Sequence, residues 1–219
     1  MCYPLRLDRG KQPEMNIRLM AGFRDINQPS HLVICDFQST GGDKVTYREE
    51  LKKLAEQLGV SDRVTFLSEY EESAKMEVDQ TEIMLFQALC NTFLFPSKSE
   101  TYSLVSQEAM GMFNLCILNH DFAPLRQIYG VNALYKPFSS NIAMDGYNGT
   151  IDTEYSDIDA WFKDLAHAIN FYTDHEKTQS GAVFVRTHRN PDYIFRNYME
   201  PLLHREDDNA EIFDSAPGL

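Results

Sequence analysis

Positive charge is scarce in this sequence: 20 Lys and Arg face 33 Asp and Glu in 219 residues, for a formal charge of −13. A surface built for nucleic acid or for an anionic membrane needs a basic face, so this balance excludes both as principal partners. Long apolar runs are missing too, and none approaches the roughly 20 residues that cross a bilayer. Cysteine is sparse, and its spacing shows no pairs. Cys2, Cys35, Cys90 and Cys116 fall mostly in apolar runs, which argues against a disulfide framework or a thiolate metal site. They read as buried, reduced thiols in a cytoplasmic protein. No internal repeat is visible. Asn148-Gly149-Thr150 fits a glycosylation sequon but reads better as an Asn-Gly turn.

What is present is an ordinary globular composition, 43% hydrophobic and 24% charged. The length suits one domain with a sizeable core, expected over residues 1–204, ahead of an acidic and disordered tail over 205–219. Short apolar runs predict strands at Cys2 to Leu7 (with Pro4 restricting the first), His31 to Cys35, within Val60 to Ser68 (a strand and its exit loop), Thr92 to Phe95, Leu115 to Asn119 and Ala133 to Tyr135. Between them lie helical patterns: one carrying Ile17, Met20, Ala21 and Phe23, one over Tyr47 to Leu58 closed by Gly59, one over Thr81 to Leu89, and a short one opened by Pro124. Glu69 to Asp79 and Asn141 to Thr153 read as polar loops. Ile158, Trp161, Phe162, Leu165 and Ile169 then mark an amphipathic helix capped by Ser156, followed by helical stretches from Glu176 to His188 and from Pro191 onward. This alternation implies an α/β fold, a doubly wound, Rossmann-like parallel sheet with helices on both faces. Such sheets bind ligands at their carboxyl edge. Arg6, Lys11, Leu67, Glu100 and His120 each fall just after a strand, at that edge.

The most informative stretch runs from Phe93 to Met110. Pro96 and Ser97 stop a buried strand abruptly, a small-polar loop follows, and Leu104, Val105, Ala109 and Met110 then fall at helical spacing. A strand–loop–helix junction presents unpaired N–H groups and a positive helix end to an anion. It also carries two carboxylates, Glu100 in the loop and Glu108 inside the helix, with seven residues between them. For an arbitrary pair, solvated surface acids are the commoner reading. Near the first strand, Arg6 and Lys11 flank a turn and can aim two cations at one diphosphate, with Arg9 as a third. Taken alone, such residues are more often merely solvated.

The pattern Pro-Ser-x-x-Glu-x-x-x-Leu-x-x-x-Glu-Ala-Met resembles the Glu-x7-Glu signature of retaining nucleotide-sugar glycosyltransferases of the two-domain GT-B type, the group 1 glycosyl transferases. There it occurs in the C-terminal, donor-binding domain. Arg-Leu-Asp-x-x-Lys, Arg6 to Lys11, is similar to that family's first donor-phosphate motif, which usually ends in Lys-Gly; here Gln12 replaces the Gly. The resemblance covers Arg6 to about His188. It implies that Arg6 and Lys11 neutralise the departing diphosphate, assisted by Arg9 and by the N–H groups of Tyr102, Ser103 and Leu104. Glu108 would accept hydrogen bonds from the ribose, Glu100 would hold hydroxyls of the transferred sugar, and the backbone at Leu67 and Ser68 would hold the nucleobase. It further implies hexosyl transfer to a saccharide or lipid acceptor without a metal or covalent cofactor. An N-terminal acceptor domain is then expected outside this chain, which would be the donor-binding half of a longer enzyme, cytoplasmic or peripheral at a membrane. A non-catalytic nucleotide-sugar-binding module and a sugar-nucleotide epimerase-like domain are the alternatives.

Overall fold

The computed structural model describes residues 1–4, 7–36, 44–69, 80–97, 103–138, 157–173 and 177–203. Six short strands alternate with helices, as the periodicity implies. In chain order these are β1 (Cys2–Tyr3), α1 (Pro13–Asp25), β2 (Leu32–Ile34), α2 (Lys44–Gln57), β3 (Val64–Phe66), α3 (Gln80–Ala88), β4 (Thr92–Phe95), α4 (Leu104–Gly111), β5 (Leu115–Asn119), α5 (Ala123–Tyr129) and β6 (Leu134–Lys136). Helices α6 (Ile158–Thr173), α7 (Lys177–His188) and α8 (Pro191–Ile194) follow, the last running on through a π-helical turn, Phe195–Met199. None of the helices among the described residues is long and apolar enough to cross a membrane.

All strand pairs are parallel, in two three-stranded sheets ordered β1-β2-β3 and β4-β5-β6. β1 packs beside β4. The strands therefore run 3-2-1-4-5-6 across the domain, and the order reverses between β1 and β4, where doubly wound folds open their ligand crevice.

Strand alternation shows why helices cover both faces. Leu94, Leu115 and Ile117 join Tyr3, Leu32 and Ile34 in one core with residues of α1, α2 and α6. Their sequence neighbours Phe93, Phe95, Cys116 and Leu118 point the other way, into a second core with α4, α5 and α7. Successive side chains leave a strand on opposite faces, so the consecutive apolar residues of β4 and β5 enter the two cores in turn. At Gly22, α1 approaches α6 so closely that a Cβ would collide with the Phe162 carbonyl.

Three boundaries differ from expectation. β1 ends at Tyr3 instead of reaching Leu7, and Pro4, which follows it, has no N–H to donate to a ladder. β3 is limited to Val64–Phe66, and 3₁₀ turns over Ser61–Arg63 and Leu67–Glu69 occupy the rest of the predicted run. The first turn of α6 is capped by Asp157, whose Oδ1 accepts the Ala160 N–H at 3.0 Å; Ser156 lies outside the described residues. All four cysteines are free thiols, three buried as expected and Cys90 half-buried. The loops expected over 70–79 and 141–153 and the tail over 205–219 also lie outside the described residues.

Candidate functional site

At the carboxyl edge, the exits of β1 and β4 are bound to each other. The β1–α1 connection is a 3₁₀ turn, Arg9–Lys11, started by Asp8, whose Oδ1 accepts the Gly10 N–H at 2.7 Å. Gln12 closes the turn in the left-handed region, φ 52° and ψ 54°, and Pro13 then opens α1. The Gln12 side chain is fully buried, and its Nε2 donates to the Pro96 carbonyl at 3.0 Å. Ser97 Oγ reaches the Gly10 carbonyl at 3.5 Å from the other side. The departure from Lys-Gly therefore leaves the backbone in the conformation that glycine favours. The side chain ties the turn to β4 instead.

Lys11 stands at the crevice, its Nζ 5.8 Å from the ring centre of Phe95, the last residue of β4. Arg9 is turned away. Its guanidinium donates to Glu50 Oε2 at 2.6 Å and lies 4.4 Å from the centre of the Tyr47 ring, both on α2. Its charge is thus already compensated within the chain by Glu50. Tyr47 in turn donates to Glu14 Oε1 at 2.5 Å. Burial pushes the Glu14 carboxyl up to about 7, more than the Tyr47 hydrogen bond and the nearby Arg9 and Arg18 hold it down.

The other half of the edge is organised by Asn119, the fully buried last residue of β5. Its Nδ2 reaches the carbonyls of Pro96, Ser97 and Phe138 at 3.4, 3.3 and 3.4 Å. Its Oδ1 accepts the N–H groups of Asp121 and Phe138, each at 3.1 Å. One amide thereby holds the exits of β4, β5 and β6 together. Ser103 precedes α4 at φ 52°, nearly buried, sharing a 2.6 Å hydrogen bond with Ser106 Oγ and accepting from Tyr129 Oη at 3.1 Å. Leu104 opens α4 and is 66% exposed, so the helix start faces solvent. Glu108 follows one turn later, half-buried. His120 is exposed, with Nδ1 3.3 Å from Asp121 Oδ1 and Nε2 3.3 Å from an Arg126 nitrogen.

At the β3 exit, Leu67 turns its side chain inward against Cys2 and Cys35. Ser68 is held by Asp36, the buried residue two places after β2. Oδ1 accepts the Ser68 N–H at 3.0 Å and Oδ2 accepts its hydroxyl at 2.6 Å. Arg48 Nε lies 2.9 Å from the same Oδ2 as an ion pair.

Of the residues singled out in the sequence, Lys11, Ser68, Ser103 and Leu104 lie on the connections that leave strand ends, Glu108 lies one turn into α4, and Arg9 is drawn toward α2. Arg6, Glu100 and Tyr102 lie outside the described residues. Sequence reasoning missed Gln12 as a tether, Asp36 and Asn119. The last two are single polar residues at strand ends, where a turn is the default reading. A cavity of about 410 Å³ opens at the opposite, amino edge, lined among others by His31, Asn91, Thr92 and Asn170. Its lining includes Met1, whose N-terminal ammonium donates to the His31 carbonyl at 2.7 Å, and no Asp, Glu, Lys or Arg among the described residues. Among the described residues, no group of three or more His, Cys, Asp or Glu is placed to hold a metal ion.

Residues 1–131 match the family described as "Glycosyl transferases group 1". Among solved structures, the fold is similar to the C-terminal domain of a glycosyl transferase group 1 family protein, LpcC, from Francisella tularensis: 14% identity, TM-score 0.61, over 85% of this chain and 83% of that one. It is also similar to a glycosyltransferase from Rickettsia africae, at 10% identity and TM-score 0.61, over 94% of this chain and 48% of that one. HepE from Anabaena, solved in complex with UDP, matches at 20% identity and TM-score 0.61, over 92% of this chain and 48% of that one. At these identities the likeness speaks to the fold. The chain spans about half the length of the last two. No curated protein sequence matches it.

Proposed function

Because the chain belongs to the glycosyl transferases group 1 family, we propose that it is the donor-binding part of an enzyme that transfers a hexosyl group from a nucleoside-diphosphate sugar to a saccharide or lipid acceptor, with retention of anomeric configuration. The observation that carries this reading is the joined exit of β1 and β4 at the point where the strand order reverses, with Lys11 over the end of β4. Lys11, with Arg6, neutralises the negative charge that builds on the diphosphate as it leaves. The N–H groups from Tyr102 to Leu104 add the positive end of α4. Glu108 accepts hydrogen bonds from the ribose and Glu100 holds hydroxyls of the transferred sugar. The family match favours a transferase over an epimerase-like domain. The acceptor is bound by an N-terminal domain outside this chain, as the 48% coverage of two relatives suggests.

The experiment is calorimetric titration of the 219-residue chain with UDP, GDP, ADP and their sugar conjugates, without added metal. Selective binding of one nucleotide, weakened about ten-fold or more in Glu108→Ala by loss of a charged hydrogen bond, supports the reading. Affinity that is indifferent to both Glu108→Ala and Lys11→Ala removes the site assignment.

A further inference from the structure

The carboxylate of Asp36 has no part in the roles assigned so far, yet it is the most heavily engaged acid at the carboxyl edge. It is fully buried and takes two hydrogen bonds from Ser68 and an ion pair from Arg48. Burying a charge is costly unless its partners compensate it, so a carboxylate kept in this place fixes what it touches. What it touches is the 3₁₀ turn Leu67–Glu69, through which the chain leaves β3. The far end of that turn is also tied, since Lys52 pairs with both Glu69 and Glu49. The turn is therefore held in place from α2 at both ends.

Its position in the sheet gives this rigidity a use. With neighbouring strands about 4.8 Å apart, the β3 exit stands about 10 Å from the β1 exit. A nucleotide whose diphosphate meets Lys11 spans that gap with its ribose and base. On the other side, Asn119 closes the exits of β4, β5 and β6 onto one another.

We propose that Asp36 is a positioning residue for nucleobase recognition: it sets the Ser68 turn against which the base of the donor is read. This rests on the nucleotide-sugar reading above. In Asp36→Asn an amide N–H replaces the oxygen that accepts the Ser68 hydroxyl, so that hydroxyl must turn round to accept, and Arg48 loses its counter-charge. Ser68→Ala deletes the hydroxyl bond alone and buries nothing new.

The test is titration of wild type, Asp36→Asn and Ser68→Ala chains with UDP, GDP and ADP, which differ only in the base and in the sugar contacts it directs. Folding of each variant is checked by circular dichroism. The expected result is a loss of about ten-fold or more for the nucleotide that wild type prefers, with little change for the other two, so that the preference narrows. If Asp36→Asn does not fold, Ser68→Ala decides, with the same direction and a smaller loss. A uniform loss across the three nucleotides, or an intact preference in both variants, overturns the role of Asp36. A wild-type chain that binds none of them overturns the nucleotide-sugar reading itself, and this inference with it.

Discussion

Gln12 allows the closing of the crevice to be measured as a free energy. A non-glycine residue at φ 52° costs about 1 kcal/mol or more relative to glycine. Against that cost the structure sets the 3.0 Å hydrogen bond from Nε2 to the Pro96 carbonyl, a contribution of about 1 kcal/mol, and the burial of the side-chain methylenes. Part of that gain is offset by Oε1, which is buried without a partner. Gln12→Ala removes the tether and keeps the strain; Gln12→Gly removes the tether and the strain together. Everything lost with the amide is common to the two variants, so their difference isolates the backbone. Gln12→Gly should unfold at higher urea than Gln12→Ala, by about 1 kcal/mol, and both should be less stable than wild type by about 1–3 kcal/mol. The order is informative because alanine is otherwise the more stable of the two in ordinary backbone. Equal stabilities, or alanine above glycine, would refute the left-handed turn and with it the geometry that places Lys11.

Two further predictions concern α1. The Glu14 carboxyl sits at about 7 in the folded chain against 4.5 as its ordinary value, so between those pH values the folded state binds more protons than the unfolded state. Its contribution to stability is complete below pH 4.5 and falls as pH rises through about 7, by roughly 3 kcal/mol; Glu14→Gln should remove that slope in urea titrations from pH 5 to 8, and an unchanged slope would show that Glu14 is not its source. Gly22→Ala should lower the unfolding free energy from urea titration by about 2 kcal/mol despite the better helix propensity of alanine, since its methyl group meets the Phe162 backbone, whereas a gain in stability would contradict the close α1–α6 approach.

Much of the fold was legible because its signals are local. Pro96 ends β4 where the sequence says it must, and the predicted Thr92 to Phe95 is the observed strand. The paired cores of β4 and β5 follow from the unbroken apolar runs at 93–95 and 115–118, which only a sheet covered on both faces can bury. What stayed hidden depends on contacts between distant segments. Nothing near Arg9 announces Glu50, 41 residues on, which turns an expected donor-site cation toward α2. Nothing near Asp36 announces Ser68, 32 residues on, which it holds through both carboxylate oxygens. Gln12 is hidden differently: glutamine gives no sign of positive φ, so the turn could be read only from its neighbours.

The most direct test of the account is where a nucleoside diphosphate settles on the chain, mapped by backbone amide chemical shifts during titration. The account predicts shifts at Lys11, Gln12, Ser68, Ser103 and Leu104, around the carboxyl edge. Shifts gathered instead at His31, Asn91, Thr92 and Asn170, around the cavity of the amino edge, would contradict it.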